Sequence, residues 1–298
     1  MDSLEQLRRR LGVFDDLGEI VRTMKAFAAV SVRQYEQAVE SLAVYSRTVE
    51  LSLHVVLRTM PPPAAEPARP ASTAAVVFGS DHGLCGHFNE EIAAYALRRL
   101  SGAGPAGARA HVLGVGTRAA ELLADAGLVP AAQMPMPGSA AGITATVRQI
   151  LLNIDAWQLE AGLPRVVLLH NRPLPGNRYE PLELQLLPVD LAALRAAGHR
   201  WDSRSLPTYT MDREQLFAAL LRQHLFVTVF RACAQSLAAE NAARLAAMEA
   251  AERNLRDRHE ELLGEFQRRR QDTITAEILD IVSGYETLQS QDGHAAGI

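Results

Sequence analysis

The stretch "MPPPAAEPARPASTAAVVFG", Met60 to Gly79, divides the chain and decides how the rest of it is read. Its stacked prolines remove backbone donors and clash with the preceding turn, so a helix arriving from the N-terminal side ends here. Its closing "AAVVFG" is an uncharged apolar run of the length expected for a buried strand. The hydrophobic period therefore changes across this stretch, and the fold follows from what lies on each side.

On the N-terminal side, Leu4 to about Arg58 contains no proline and only Gly12 and Gly18 as glycines. Apolar residues recur at Leu4, Leu7, Leu11, Phe14, Leu17, Val21, Met24 and Ala28, then at Tyr35, Val39, Leu42, Val49, Leu53 and Val56. Steps of three and four residues mark the narrow seam of a coiled coil. At 1.5 Å per residue such a helix extends roughly 80 Å.

On the C-terminal side, "AAVVFG" reads as a strand, "FNEEIAAYALRRL" as an amphipathic helix and "ARAHVLGVG" as a strand. "TRAAELLADAG" and "AGITATVRQILLNID" read as helices, and "RVVLLHNRP" and "LELQLLPV" as strands. This alternation predicts an α/β sheet covered by helices. From Asp212 to about Leu288 a second proline-free run carries a seam through Val227, Phe230, Ala234, Leu237, Asn241, Leu245, Met248, Leu255, Leu262, Phe266, Ile274, Ile278 and Ile281. Neither long helix buries its seam alone, so the two are expected to pair.

The predicted organisation is an N-terminal coiled-coil helix (1–60), a Pro-rich linker (61–73), a Rossmann-like α/β domain (74–190), a linker (191–211), a C-terminal coiled-coil helix (212–288) and a tail (289–298). The fold class is thus α+α/β, with a long antiparallel coiled coil flanking a central α/β domain.

Composition narrows the function. The 298 residues carry a formal net charge of -4, which lacks the basic footprint of a nucleic-acid binder. Lys25 is the sole lysine, and the two cysteines, Cys85 and Cys233, lie too far apart for a disulfide framework or a paired ligand spacing. No charge-free apolar stretch approaches the roughly 18 residues of a membrane span, so direct membrane insertion is not expected.

The densest group of chemistry-bearing residues is "FGSDHGLCGHFNEEI", Phe78 to Ile92. It lacks the lysine and spacing of a phosphate-binding loop and does not supply G-x-G-x-x-G. His82, Cys85 and His87 have no sequence-near fourth metal ligand, and Cys85 has no evident base. Gly79, Asp81, Gly83, Cys85 and Gly86 are therefore read as a structural turn from strand to helix, with Asp81 or Asn89 expected to cap that helix. His259, Glu260 and Glu261 are read as a solvated face, and Asn241 as a buried polar residue fixing coiled-coil register.

Three motifs resemble those of the gamma subunit of F-type ATP synthases, the central rotor shaft. They are "GSDHGLCGHFNEEI", with His82 where arginine is usual; "LAAENAARLAAMEAAERN", with Asn241 in place of a histidine and Leu245 in place of a methionine; and "RRQDTITAEILDIVSG", Arg269 to Gly284. "EIVRTMKAFAAVSV" is a further match, with Ser31 in place of a lysine. Taken with these departures and the tail, the resemblance implies a divergent bacterial branch of that family.

The resemblance implies a non-catalytic rotor subunit without cofactor or metal, peripheral on the cytoplasmic side of the bacterial inner membrane. Its implied partners are the ATP synthase alpha and beta subunits, an epsilon subunit and the c-ring. It also implies rotor–stator contacts at Arg270, Gln271, Thr275, Glu277, Arg22, Met24 and Lys25. The competing reading is an α/β small-molecule-binding protein or enzyme with helical dimerisation arms.

Overall fold

The structure is a computed structural model describing residues 3–61, 73–101, 111–161, 165–196 and 207–295, the side chains of 160–161 and 284–295 excepted. The prolines of 62–72 and the segment 197–206 lie outside the described residues. The chain forms two compact units: residues 1–25 with 248–298, and residues 26–247. Helices α1 (Leu4–Arg58) and α6 (Arg213–Ala295) each contribute to both.

The larger unit is built on a five-stranded sheet of order β3-β2-β1-β4-β5. Its strands are β1 (Thr73–Phe78), β2 (His111–Val115), β3 (Ala132–Met134), β4 (Arg165–Leu174) and β5 (Arg178–Leu187). The first four run parallel, and β5 returns antiparallel from β4 through a turn in which Gly176 and Asn177 adopt positive φ. Between strands lie α2 (Phe88–Leu100), α3 (Thr117–Asp125) and, after a 3-10 turn at Ala140–Gly142, α4 (Ile143–Ala161).

Burial on both faces explains why the central strands read as unbroken apolar runs. Ala74, Val76 and Phe78 of β1, with Val166 and Leu168 of β4, pack on α4 and α6 through Ile150, Ile154, Val229 and Leu237. Their sequence neighbours Ala75, Val77, Val167 and Leu169 pack on α2 and α3 through Ile92, Ala96 and Leu123. The alternation is the period of two that a strand imposes.

The sequence expectation missed β3, whose three residues carry no period to detect. It also left as linker the segment that holds the short helix α5 (Leu191–Ala196). Helix α6 runs on to Ala295, through most of the expected tail, because no proline intervenes and a single glycine is tolerated within a helix.

Within the larger unit, α6 lies antiparallel to α1: Arg231 donates to Ser46 Oγ (2.6 Å), and Arg213, at the start of α6, donates to the carbonyl of Thr59 (3.2 Å), just past the end of α1. From Ser236 to Ala243 every residue of α6 is buried, and four alanines there let the helix approach its neighbours closely. Asn241 does not fix register, as its place on the seam had led us to expect. Its amide donates to Leu237 O one turn back, and its oxygen accepts from Arg244, so both groups are satisfied on α6 itself. By length and composition α6 also holds an 18-residue window apolar enough to cross a membrane, with mean hydropathy 1.3 and at most two charged residues. Of the apolar residues of α6, Val229, Ala234 and Leu237 lie in the sheet-facing core.

In the smaller unit the two helices are again antiparallel. Lys25 Nζ meets Glu252 Oε2 at 2.6 Å, and His259 Nε2 meets Asp15 Oδ1 at 3.3 Å. His259 is thus part of the helix pair and not of the solvated face expected for it. Leu7 and Leu262 are buried, whereas every residue from Gln271 to Ser283 is exposed.

Candidate functional site: a filled crevice and an exposed helix end

In an open parallel sheet the ligand crevice lies beyond the carboxyl ends of the strands where the winding reverses. Here that point falls between β1 and β4, and the turn after β1 occupies it. Ser80 and Asn89 bind each other twice: Ser80 N–H donates to Asn89 Oδ1 at 2.9 Å and Asn89 Nδ2 to Ser80 Oγ at 2.8 Å. Asn171, at the end of β4, donates to the carbonyl of Phe88 at 3.2 Å. Cys85 and Phe88, both buried, pack against Ala239 and Ala243 of α6. Protein side chains and backbone thereby fill the space a nucleotide takes in doubly wound folds.

Two glycines of the turn, Gly79 and Gly86, have a local reason for being glycine. Gly79 lies so close to α3 that a Cβ on it would stand 2.0 Å from that of Ala119. Gly86 adopts φ +60, which glycine does without strain. Gly83 has open space around it. Leu84 also has positive φ, at 62°, and its side chain is exposed.

Asp81 does cap a helix, but not the one that follows it. Its Oδ1 accepts from the Thr117 N–H (2.9 Å) and hydroxyl (3.1 Å) at the start of α3, and its Oδ2 from Met136 N–H at 3.0 Å. Asn89 is spent on Ser80, and α2 begins at His87 without a side-chain cap. Sequence spacing could not reveal this, because Thr117 and Met136 are 36 and 55 residues away.

The electrostatics of the crevice disfavour a nucleophile. Burial pushes the Cys85 thiol above its usual range, more than a hydrogen bond with Ser80 lowers it. Burial likewise takes Cys233 up to about 12. Glu240, two turns along α6, is raised by burial, with Arg244 pulling it back through a 2.6 Å ion pair. Among the described residues no group of three or more His, Cys, Asp or Glu is placed to hold a metal ion.

The expected contact residues fall into two groups. Arg22, Met24 and Lys25 stand at the level of Glu252, a residue that sequence reasoning did not single out. The hydrogen bond from Lys25, more than any other influence, holds Glu252 below the usual carboxylate range, with Arg256 and Arg22 adding to it. Arg270, Gln271, Thr275 and Glu277 are all exposed farther along α6. Glu252 and Arg270 are separated by about 27 Å of helix at the standard rise. Among the described residues, the one side-chain bond in the second group is local, from Thr275 Oγ1 to Gln271 O (2.8 Å).

A family model described as ATP synthase matches residues 3–288. The chain belongs to the ATP synthase gamma-subunit family. Among curated relatives, the ATP synthase gamma chain of Anaeromyxobacter dehalogenans (strain 2CP-C) is 29% identical over 299 residues, covering 97% of this chain and 100% of that one. That of Granulibacter bethesdensis is 28% identical over 307 residues, with the same coverage. In solved structures, a chain of the Euglena gracilis mitochondrial ATP synthase (OSCP/F1/c-ring, rotational state 3) superposes with TM-score 0.67 at 16% identity, covering 97% of this chain and 95% of that one. A chain of the Tetrahymena thermophila mitochondrial ATP synthase central stalk and c-ring gives 0.57 at 22% identity, over 78% and 99%. These structural likenesses carry the fold: the gamma family's long terminal helices around a central sheet are the architecture found here.

Proposed function

We propose that this chain is the non-catalytic rotor shaft of an F-type ATP synthase, coupling rotation of the membrane c-ring to catalysis in a ring of alpha and beta subunits. The observation that carries this reading is the family match over residues 3–288 on a chain whose two terminal helices pair antiparallel around a sheet. Helices paired along their seams resist bending and twisting. A shaft of uneven surface then biases each beta subunit in turn among its conformations, which is a population shift driven by position.

The proposed partners are the alpha and beta subunits, an epsilon subunit and the c-ring, with the complex peripheral on the cytoplasmic face of a bacterial inner membrane. Within that assembly Arg22, Met24, Lys25, Arg270, Gln271, Thr275 and Glu277 are the proposed rotor–stator contacts. Gly79, Asp81, Gly83, Cys85 and Gly86 serve as architecture. Chemistry is assigned to the surrounding ring because the sheet's own crevice is filled by Cys85, Phe88, Ala239 and Ala243.

The test is co-purification of the full chain from native membranes, followed by reconstitution with its associated subunits. Alpha and beta subunits should accompany it, and ATP-driven rotation should require it. A chain that instead purifies alone and binds a nucleotide tightly would overturn the proposal in favour of the small-molecule-binding alternative.

A further inference from the structure

The helix pair of the smaller unit has a place where its seam is left unfilled. A cleft of about 180 Å³ opens between the helices, lined by Phe14, Gly18 and Arg22 of α1 and by Leu255 and His259 of α6. Gly18 is half-buried and faces it. A Cβ built on Gly18 would find only the Arg22 guanidinium, at 3.5 Å, and no atom of α6 within 4 Å. The gap is therefore wider than a methyl group. Gly12, in the same helix, is exposed and has nothing within 4 Å either, but it is not among the residues lining this cleft.

Two polar contacts bracket the gap, the Lys25–Glu252 ion pair and the approach of His259 to Asp15. Both are partly exposed, and such pairs add little rigidity. Coiled-coil seams resist shear because knobs fill holes, and a hole without a knob loses those contacts outright. Glycine adds a second weakness, since it is the poorest helix former after proline.

We propose that Gly18 is a built-in soft point of the helix pair in the smaller unit, a level at which α1 and α6 yield to twist and shear. In a shaft, such a point takes up strain between the ends, so that small torques do not pass rigidly from one end to the other. That use rests on the rotor reading; the soft point itself does not.

Hydrogen exchange on the full chain tests it with three variants. Gly18→Ala supplies helix propensity without reaching α6, and slows exchange of α1 amides near position 18 only. Gly18→Leu and Gly18→Met fill the cleft, and slow exchange of the α6 amides at 252–259 by roughly threefold or more beyond the alanine variant. Should leucine overpack and loosen the pair, the more flexible methionine decides. If neither larger residue exceeds alanine on the α6 side, the soft point is overturned. In the assembled complex, Gly18→Met should narrow the angular fluctuations of a probe fixed to the shaft. Slower exchange with unchanged fluctuations would leave the soft point standing and overturn its mechanical use.

Discussion

His170 illustrates how one residue ties the sheet to α6. It is 1% exposed, and its Nε2 lies 3.0 Å from Gln235 Oε1, while Nδ1 has no partner among the described residues. A second proton would add a buried charge and an unaccepted donor. Burial accordingly takes its pKa from 6.5 to about 4, with the Gln235 bond pulling the other way. Between those values the unfolded chain binds more protons than the folded one, so stability rises with pH from about 4 to about 6.5 and is level above. The shift corresponds to about 3 kcal/mol. Urea midpoints at about pH 4.5 and about pH 7.5 should differ in the wild type, and His170→Gln should remove most of that slope. An equal slope in both proteins would show that other groups govern the acid limb. Asp81, in the turn after β1, is a second residue that ties distant segments together. Asp81→Ala leaves the Thr117 and Met136 amides without their acceptor and should lower stability by about 1 to 2 kcal/mol in denaturant titrations. A loss within about 0.3 kcal/mol would mean that water replaces the carboxylate at no cost.

At the scale of elements, the sequence disclosed most of what periodicity can disclose. The three-four spacing of Leu4 to Val56 and the apolar runs of β1 and β4 were legible because burial sets their period. The three residues of β3 were not, since a strand so short shows neither alternation nor a run. Nor was helix register. A seam identifies which face of a helix is buried, and says nothing about which level of the partner it meets. Pairing the two proline-free seams antiparallel on sequence alone puts Met24 near Phe266 to Ile278. The ion pair of Lys25 with Glu252 instead sets the level well before that, and Asp15 with His259 continues the same register. Cysteines replacing Lys25 and Glu252 should therefore be joined efficiently by a bifunctional thiol reagent about as long as the ion pair they replace, while a pair replacing Met24 and Ile274 should not. The native Cys85 and Cys233 are buried and should not compete. Efficient cross-linking of the second pair, with none of the first, would refute the register.

At the scale of the whole molecule, family and fold class were legible from motifs spread along the chain, but the division of labour among the candidate residues was not. Asp81 caps a helix distant in sequence, and Lys25 closes on Glu252 within the chain, so both have structural work that exposure alone would not reveal. Arg270 and Gln271 differ. Carrying the register of Lys25 and Asp15 forward at equal rise places the start of α1, Leu4, level with about Arg270. Past that level α6 has no α1 beside it, and Ile274, Ile278, Ile281 and Val282 are exposed together with Arg270, Gln271, Thr275 and Glu277. Removing the Arg270 guanidinium should then change the stability of the chain itself by under about 0.5 kcal/mol. If the group holds a carboxylate or carbonyls of a surrounding subunit, the lost contact is worth about 1.5 to 3 kcal/mol. A contact formed in only some rotary positions enters the barrier directly, so turnover should fall by roughly ten- to a hundredfold. The two magnitudes are far enough apart to decide the matter. Arg270→Ala combined with Gln271→Ala should leave the thermal midpoint of the purified chain and assembly of the complex unchanged, while ATP hydrolysis and ion pumping drop together. Wild-type turnover in a fully assembled double mutant would reduce this helix end to a solvated surface and remove Arg270 and Gln271 from the rotor–stator contact.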